Sequence, residues 1–552
     1  RTHHFLLVLT TPMPALIATF RRGLTFPPSG WALAGMLAFY VLAGLFGRDP
    51  WKGEDAVHIG TAWHIVTVGD WLTPNLAGRV FDEPPLYYWV AAIFGKLFGW
   101  AIPLHDAIRL SSGMWVALAL VALYYAGREL YSQERAAASP LLLAGTLGLI
   151  INAHEAQPLL IGLAAYSATL AAMAGLARKP RLSGLFYGLA LAGSLLGVGI
   201  AATVPLLLIG PFAAWLMRTN PRAWQGCGIG WLTFVALILP WLAALAFLDP
   251  ARLQGWLASE WAQLISGLPL VRGMLGYLSI LPTLAFPTIF IAGWTLWTYR
   301  KRLTQREIVL PLAMLALTLF MLLAAYRPRE LPALLLLPAI ALLATPGALS
   351  LRRGASSALD WFGVMCFSFF AILVWIGWSA LHFGWPEKLA SRALVLRPGF
   401  VAQLNWPAAI LAAIASLWWI WLIVTSPRRA PYRSVVHWSM GITTFWLLAS
   451  LLWMPWFDYG RSYRPVAEQL AGKLPAKPGC IAEKNLGDPE RASLAYFTGI
   501  EPLPLRQARG CNWLITMGRS NAELHPGNGW EKVWEGNRPG DRRDKLRLYR
   551  RD

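Results

Sequence analysis

Two acidic pairs, Glu54-Asp55 and Asp82-Glu83, share one Pro-, Gly- and Trp-rich stretch with His58 and His64: residues 51–89, "WKGEDAVHIGTAWHIVTVGDWLTPNLAGRVFDEPPLYYW". A carboxylate held there can take a proton from an acceptor hydroxyl, a role worth roughly 10²–10⁴-fold in rate, or it can bind a metal ion. A structural role stands beside these. Gly53 precedes Glu54-Asp55, the apolar-periodic Ala56–Thr67 follows, and acids in a first turn complement the helix dipole. Asp82 and Glu83 can face water, pair with external cations, or complete a metal site with Glu54-Asp55. Pro84-Pro85 behind them rigidifies the chain and can start a helix. His58, His64 and His154 have none of the fixed spacings of a zinc motif, so a divalent metal is left open.

The cations are of another kind. Arg327 and Arg329 fall in one tight turn, "AYRPRELP", and Arg109 stands just before a span. A guanidinium is always charged and binds phosphate bidentately; it also snorkels to a membrane surface. Converging loops would present all three to a phosphate-bearing lipid. Glu155, in the turn "NAHEAQ", is one more supporting acid. Asp249–Arg272, with Trp256, Glu260 and Trp261, has the spacing of an amphipathic helix lying on the membrane.

These residues need elements to hold them. The 552-residue chain is 56% hydrophobic and 14% charged, against about 25% charged in soluble domains, and its mean hydropathy is +0.48. Apolar runs of roughly 17–25 residues suit helices crossing a bilayer and lack the alternation of a barrel. Thirteen spans are expected: Trp31–Gly47, Leu110–Ala126, Ala137–Asn152, Pro158–Leu176, Leu182–Leu196, Ala201–Met217, Gly228–Leu248, Leu275–Trp297, Glu307–Ala325, Leu331–Leu349, Ala358–Phe383, Trp406–Thr425 and Val435–Trp456. The fifth and sixth could form one broken hairpin. Phe5–Phe20, interrupted by Pro12 and Pro14, reads as a helix at the cytoplasmic surface.

The formal charge of +20 does not point to nucleic acid, because the basic residues fall in alternate short loops. Arg21-Arg22, Arg178-Lys179, Arg300-Lys301-Arg302, Arg352-Arg353 and Arg428-Arg429 mark those loops as cytoplasmic. An odd number of spans then places residues 51–89 and the C-terminal tail outside. After residue 456 the composition turns polar. Residues 457–552 read as a small α/β domain, with helices at Tyr463–Leu474 and Pro489–Tyr496 and strand-like runs at Cys480–Ala482, Asn512–Thr516, Trp530–Trp534 and Leu546–Tyr549. Residues 1–456 form the membrane domain. Cys480 and Cys511 stand where disulfides persist; a bridge and two free thiols are both open.

The order of an acidic pair, "GDWLTPNLAG", "PPLYYW" and "AIRLSS" closely resembles the bacterial aminoarabinose (lipid A) transferase-like and protein-O-mannosyltransferase-like membrane glycosyltransferases of the GT-C type. The resemblance implies a GT-C bundle of about thirteen transmembrane helices, interfacial helices in the first external loop and a periplasmic C-terminal α/β domain. It implies a polyprenyl-phosphate-linked sugar as donor, transferred with inversion to a lipid A, protein or envelope-glycan acceptor at the periplasmic face of the inner membrane. Asp55 is then the first choice for the acceptor-activating acid and Glu54 the close alternative. Asp82, Glu83 and Glu155 support them, and Arg327, Arg329 and Arg109 meet the donor phosphate. The pattern also departs from the family's. The usual Asp-Glu reads Glu54-Asp55, the Lys before Pro-Pro reads Glu83, Asp-Pro reads Gln157-Pro158, and Lys-Gly reads Val198-Gly199. Those losses motivate the alternative of a catalytically silent membrane subunit that binds lipid or a partner protein.

Overall fold

The computed structural model describes residues 30–551 apart from 52, 268, 429, 509, 520–525, 528, 540 and 542. The Phe5–Phe20 segment lies outside the described residues. Every one of the thirteen apolar segments falls on helix. Among the described residues, seven helices are long and apolar enough to cross a membrane, and four shorter apolar ones are Gly30–Leu42, Leu86–Phe98, Leu159–Gly175 and Ile200–Leu216. This is a multi-pass helical membrane protein.

Two expected spans are not continuous, and that corrects the hydropathy reading. Ala137–Asn152 breaks into Ala138–Ala144 and Leu149–Asn152. Leu275–Trp297 is bent by 107° between Leu270–Leu284 and Thr288–Thr298. The breaks meet: Leu147 and Gly148 donate their N–H groups to the carbonyls of Phe286 (3.2 Å) and Leu284 (2.8 Å). Backbone groups at membrane depth must be satisfied inside the protein, and here each break satisfies the other. The Leu331–Leu349 segment starts as Glu330–Ala333, tightens through a 3₁₀ turn at Leu334–Leu336, and continues as Leu337–Ser350. Its Leu334–Leu337 run is fully buried at the centre of the main hydrophobic cluster.

The segment after the first span forms two short helices, Glu54–Val68 and Leu86–Phe98, joined by a hairpin that pairs Asn75–Leu76 with Arg79–Val80. Gly53 enters the first helix at φ +119°, a backbone region that suits glycine alone. Pro85 stands immediately before the second helix. Asp249–Arg272 becomes the helix Pro250–Leu264, capped by the Asp249 side chain, and the start of the next.

The polar tail combines two helices with a sheet that gains one strand, Leu503–Pro504, beyond the expected ones. Its helices are Arg464–Ala471 and Asp488–Thr498. Its five strands run in the spatial order Leu503–Pro504, Ile481–Lys484, Trp513–Arg519, Asp544–Arg551, Trp530–Gly536; the first three are parallel and the last two join antiparallel. Cys480 and Cys511 are bridged. This sheet domain leans on the Glu54–Val68 helix and its surroundings. Ala492 packs against Gly60, where an added methyl would clash, and Tyr496 Oη bonds the ring of His105 at 2.9 Å. Arg464 grips Asp49 through two N–H donors.

Beside that grip lies a second carboxylate, Asp458. Burial and the neighbouring Asp49 push its pKa up to about 6, against bonds from Trp51 and the Asp49 N–H. The folded state therefore holds this proton more tightly than the unfolded chain. Stability from this group is greatest in acid and falls as pH rises from about 4 through 6. Asp458→Asn keeps the Oδ1 acceptor for both bonds and removes the charge. It is expected to raise the thermal midpoint by a few degrees at pH 7.5, with the gain shrinking steadily between pH 6 and 4. A midpoint–pH series checks this; an equal gain at every pH contradicts it.

Candidate active site

Asp55 and Arg109 form a buried strut. Arg109 is 0% exposed, and all five of its N–H donors are used. Nε and Nη2 bond the Asp55 carboxylate at 3.1 and 2.7 Å; Nη1 bonds the Arg48 carbonyl and Asp106; Nη2 also bonds the Asp49 carbonyl. Asp55 takes a further N–H, from Ala156 at 2.8 Å. Burial alone would raise the Asp55 pKa, but Arg109 and Arg48 together with these bonds hold it well below the usual carboxylate range. The strut ties the start of the Glu54–Val68 helix, the start of the Leu104–Leu130 helix and the Ala156 turn into one unit. Neither residue lines the cavity beside it.

That cavity has a volume of about 490 Å³. It opens between the N-terminus of the Glu54 helix, the Asp82–Pro84 turn, Gln157–Leu159, Gly197-Val198, the Pro250–Leu264 helix and the Tyr326–Pro332 turn. Four carboxylates line it, Glu54, Asp82, Glu83 and Glu260, with two arginines, Arg327 and Arg329. Both arginines are exposed and form no ion pair among the described residues. Glu260 is committed to structure: it accepts the Ile200 N–H at 2.6 Å and so caps the next span. Gly199 turns the chain there at φ +113°, where any side chain would run into the Glu260 carboxylate. Gln157 is 2% exposed, and its side-chain N–H₂ has no acceptor among the described residues. A buried donor left unpaired costs about 1–3 kcal/mol, so this amide is ready to meet a ligand oxygen.

A polar chain runs behind Glu54. His58, one helical turn on, places Nε2 3.5 Å from Glu54 and Nδ1 2.7 Å from Tyr88 Oη, and Tyr88 donates to Glu83. The hydrogen bond from His58, with the charge of Arg329 in support, lowers the Glu54 pKa. Glu54 is therefore an ionised carboxylate at neutral pH, half exposed to the cavity and oriented from behind.

The structure thus brings Glu54, Asp82, Glu83, Arg327 and Arg329 together and keeps Asp55 and Arg109 apart from them. Glu155 also stays outside the cavity lining; burial and the nearby Asp55 raise its pKa. Among the described residues no three His, Cys, Asp or Glu side chains are grouped to hold a metal ion. The Glu54–His58–Tyr88–Glu83 chain was not drawn from the sequence. Its only signals there were the i,i+4 spacing of Glu54 and His58 and the tyrosine five residues after Glu83.

A helical bundle with broken spans, two short helices after the first and a C-terminal sheet domain is the arrangement of the GT-C fold. The crystal structure of ArnT from Cupriavidus metallidurans bound to undecaprenyl phosphate superposes with a TM-score of 0.67 at 16% identity, over 97% of this chain and 98% of that one. Residues 82–246 match the family model described as dolichyl-phosphate-mannose-protein mannosyltransferase. Two curated relatives are undecaprenyl phosphate-alpha-4-amino-4-deoxy-L-arabinose arabinosyl transferases. That of Aeromonas hydrophila is 26% identical over 230 residues, 40% of this chain and 41% of that protein. That of Sodalis glossinidius is 29% identical over 227 residues, 39% and 40%. The matched region therefore spans about two fifths of those relatives. The chain is thus similar in sequence to these transferases over about two fifths of its length and shares the fold of ArnT along nearly all of it.

Proposed function

We propose that the chain is an inverting glycosyltransferase of the bacterial inner membrane. It moves a sugar from a polyprenyl-phosphate donor to a lipid A, protein or envelope-glycan acceptor at the periplasmic face. The observation that carries this reading is the cavity that puts one oriented, ionised acid, Glu54, in the same space as two unpaired arginines, Arg327 and Arg329. The donor for which those relatives are named, an undecaprenyl phosphate sugar, is of the class such a cavity takes. The cation pattern of the loops supports a periplasmic cavity and a periplasmic sheet domain over residues 457–552.

In the reaction the acceptor oxygen attacks the anomeric carbon from the face opposite the leaving group. The bond from that carbon to the phosphate oxygen breaks, and polyprenyl phosphate leaves. Arg327 and Arg329 meet the charge that grows on the phosphate, where preorganised donors act most strongly. Glu54 takes the acceptor's proton, backed by His58; with a phosphate acceptor, already mostly ionised at neutral pH, it positions rather than deprotonates. Glu54 here takes the part for which the sequence put Asp55 first, and Asp55 holds the loop. The Gln157 amide donates to a sugar or phosphate oxygen. Arg327→Ala and Arg329→Ala are each expected to lower kcat/KM for the donor roughly 10–100-fold, as loss of one charged hydrogen bond, and Gln157→Leu by roughly 3–10-fold. A transfer assay with radiolabelled polyprenyl-phosphate sugars measures all three; unchanged kcat/KM in both arginine variants removes the phosphate assignment.

One observation favours the second reading, a silent lipid- or partner-binding subunit. Glu83 and Val198 line the cavity where the family resemblance leads to lysines. That reading predicts no turnover of any donor in the same assay and stoichiometric co-purification with another protein.

A further inference from the structure

Three helices, Leu104–Leu130, Leu159–Gly175 and Pro180–Gly197, leave a groove of about 700 Å³ between them. Small side chains make the room: Ala168, Ala172, Ala190 and Gly193 lie along its floor, with Trp115 and Phe186 as larger walls. The rise from Trp115 to Arg128 along one helix is about 20 Å at 1.5 Å per residue. That exceeds the roughly 15 Å that one leaflet contributes to a hydrocarbon core of about 30 Å, so an extended acyl chain fits along it.

The groove ends in charge. Arg128 and Lys179 both line the mouth. Arg128 lies over the Tyr125 ring at 5.0 Å, and Lys179 immediately precedes the Pro180–Gly197 helix, whose N-terminal end adds the positive pole of the helix dipole. The one carboxylate at the mouth, Glu129, is held by Arg178 at 2.7 Å and lies 3.8 Å from Arg128. Two cations and a helix start therefore face the water boundary with one acid already matched. An apolar trough with a cationic end has the shape and charge of a site for a lipid whose headgroup is anionic.

The groove is not the lower part of the cavity. Its upper end, at Ile161 and Gly193, comes within about one helical turn of the cavity residues Leu159 and Gly197. The Ile161 side chain fills that step: it is 1% exposed and packs directly on Gly197. A chain in the groove would have to displace Ile161 to reach the cavity.

We propose that this groove binds one acyl chain of an anionic phospholipid of the cytoplasmic leaflet, with its phosphate on Arg128 and Lys179. The site is separate from the transfer cavity and does not depend on its chemistry. Native mass spectrometry of the delipidated full chain, titrated with phosphatidylglycerol, phosphatidylcholine or undecaprenyl phosphate, tests it. Phosphatidylglycerol is expected to bind at least fivefold more tightly than phosphatidylcholine. R128Q/K179Q should erase that preference at an unchanged thermal midpoint, and Ala168→Trp, which fills the trough, should remove one bound lipid. Equal affinity for the two phospholipids, or a preference that survives R128Q/K179Q, overturns the proposal. So does tighter binding of undecaprenyl phosphate that the same double variant abolishes, since the groove would then belong to the isoprenoid. If the tryptophan variant does not fold, the charge variant, which alters only the polar mouth, decides alone.

Discussion

Glu54→Gln is expected to lower the turnover of sugar transfer by about 10²–10⁴-fold, the span typical of a positioned acid–base group, with little change in thermal midpoint. The side chain is 53% exposed and bonded only through His58, so nothing in the packing depends on its charge. Glutamine keeps the length and the contact and removes the base. Because His58 first, and Arg329 second, hold the Glu54 pKa below its ordinary value, the carboxylate is already ionised at neutral pH. Activity should therefore be flat through neutrality and fall only as the pH drops into and below the usual carboxylate range. Full turnover in the glutamine variant would end the assignment of Glu54.

Why the sequence could not choose between Glu54 and Asp55 has a simple geometric cause. Adjacent residues on a helix point about 100° apart, at 3.6 residues per turn, so only one of the pair can face a given cavity. The choice was made by Arg109, 54 positions along the chain, and no local pattern records that pairing. Burial decides in the same way that Arg109 serves the strut and Arg327 and Arg329 the cavity. The exposed turn "RPRE" could be read as cationic and external because it lies between two spans, whereas Arg109 looked equivalent until packing enclosed it.

The thirteen apolar segments were legible because length and hydropathy carry them. Their breaks were not. Gly145 and Gly148 in one segment and Pro282 and Pro287 in the other are individually tolerable in a membrane helix. Only the Leu147–Phe286 and Gly148–Leu284 hydrogen bonds, made across the bundle, let both helices stop there. The tail helices and strands were legible for the opposite reason: they are short, with clear periodicity and turn residues between them. Their docking was hidden, since it rests on contacts between distant positions: Ala492 with Gly60 of the Glu54 helix, Arg464 with Asp49, and Tyr496 with His105.

Arg109→Met should then be the most destabilising single change at the site, by about 3–5 kcal/mol, the usual cost of removing one partner from a buried ion pair. The loss is broader than one bond. Asp55 stays 3% exposed with only Arg48 and backbone N–H groups left to offset its charge, and the carbonyls of Arg48 and Asp49 lose their donors. Thermal unfolding in detergent, with limited proteolysis of the loop 48–85, is the measurement; a wild-type midpoint would refute the strut. Asp55→Asn should cost less, because Asp106 remains beside Arg109 at 3.2 Å and the amide can still accept from Ala156. In a double-mutant cycle the Arg109→Met/Asp55→Asn protein should recover part of the loss, since the buried charge is gone, but not all of it, since the two carbonyls still lack partners. Arg109→Lys separates this strut from a donor-phosphate role. An ammonium has three donors where five are in use, so stability should fall while KM for the donor in the folded fraction stays unchanged. A lysine variant with the wild-type midpoint and a raised KM would return Arg109 to the phosphate and leave Asp55 free to act.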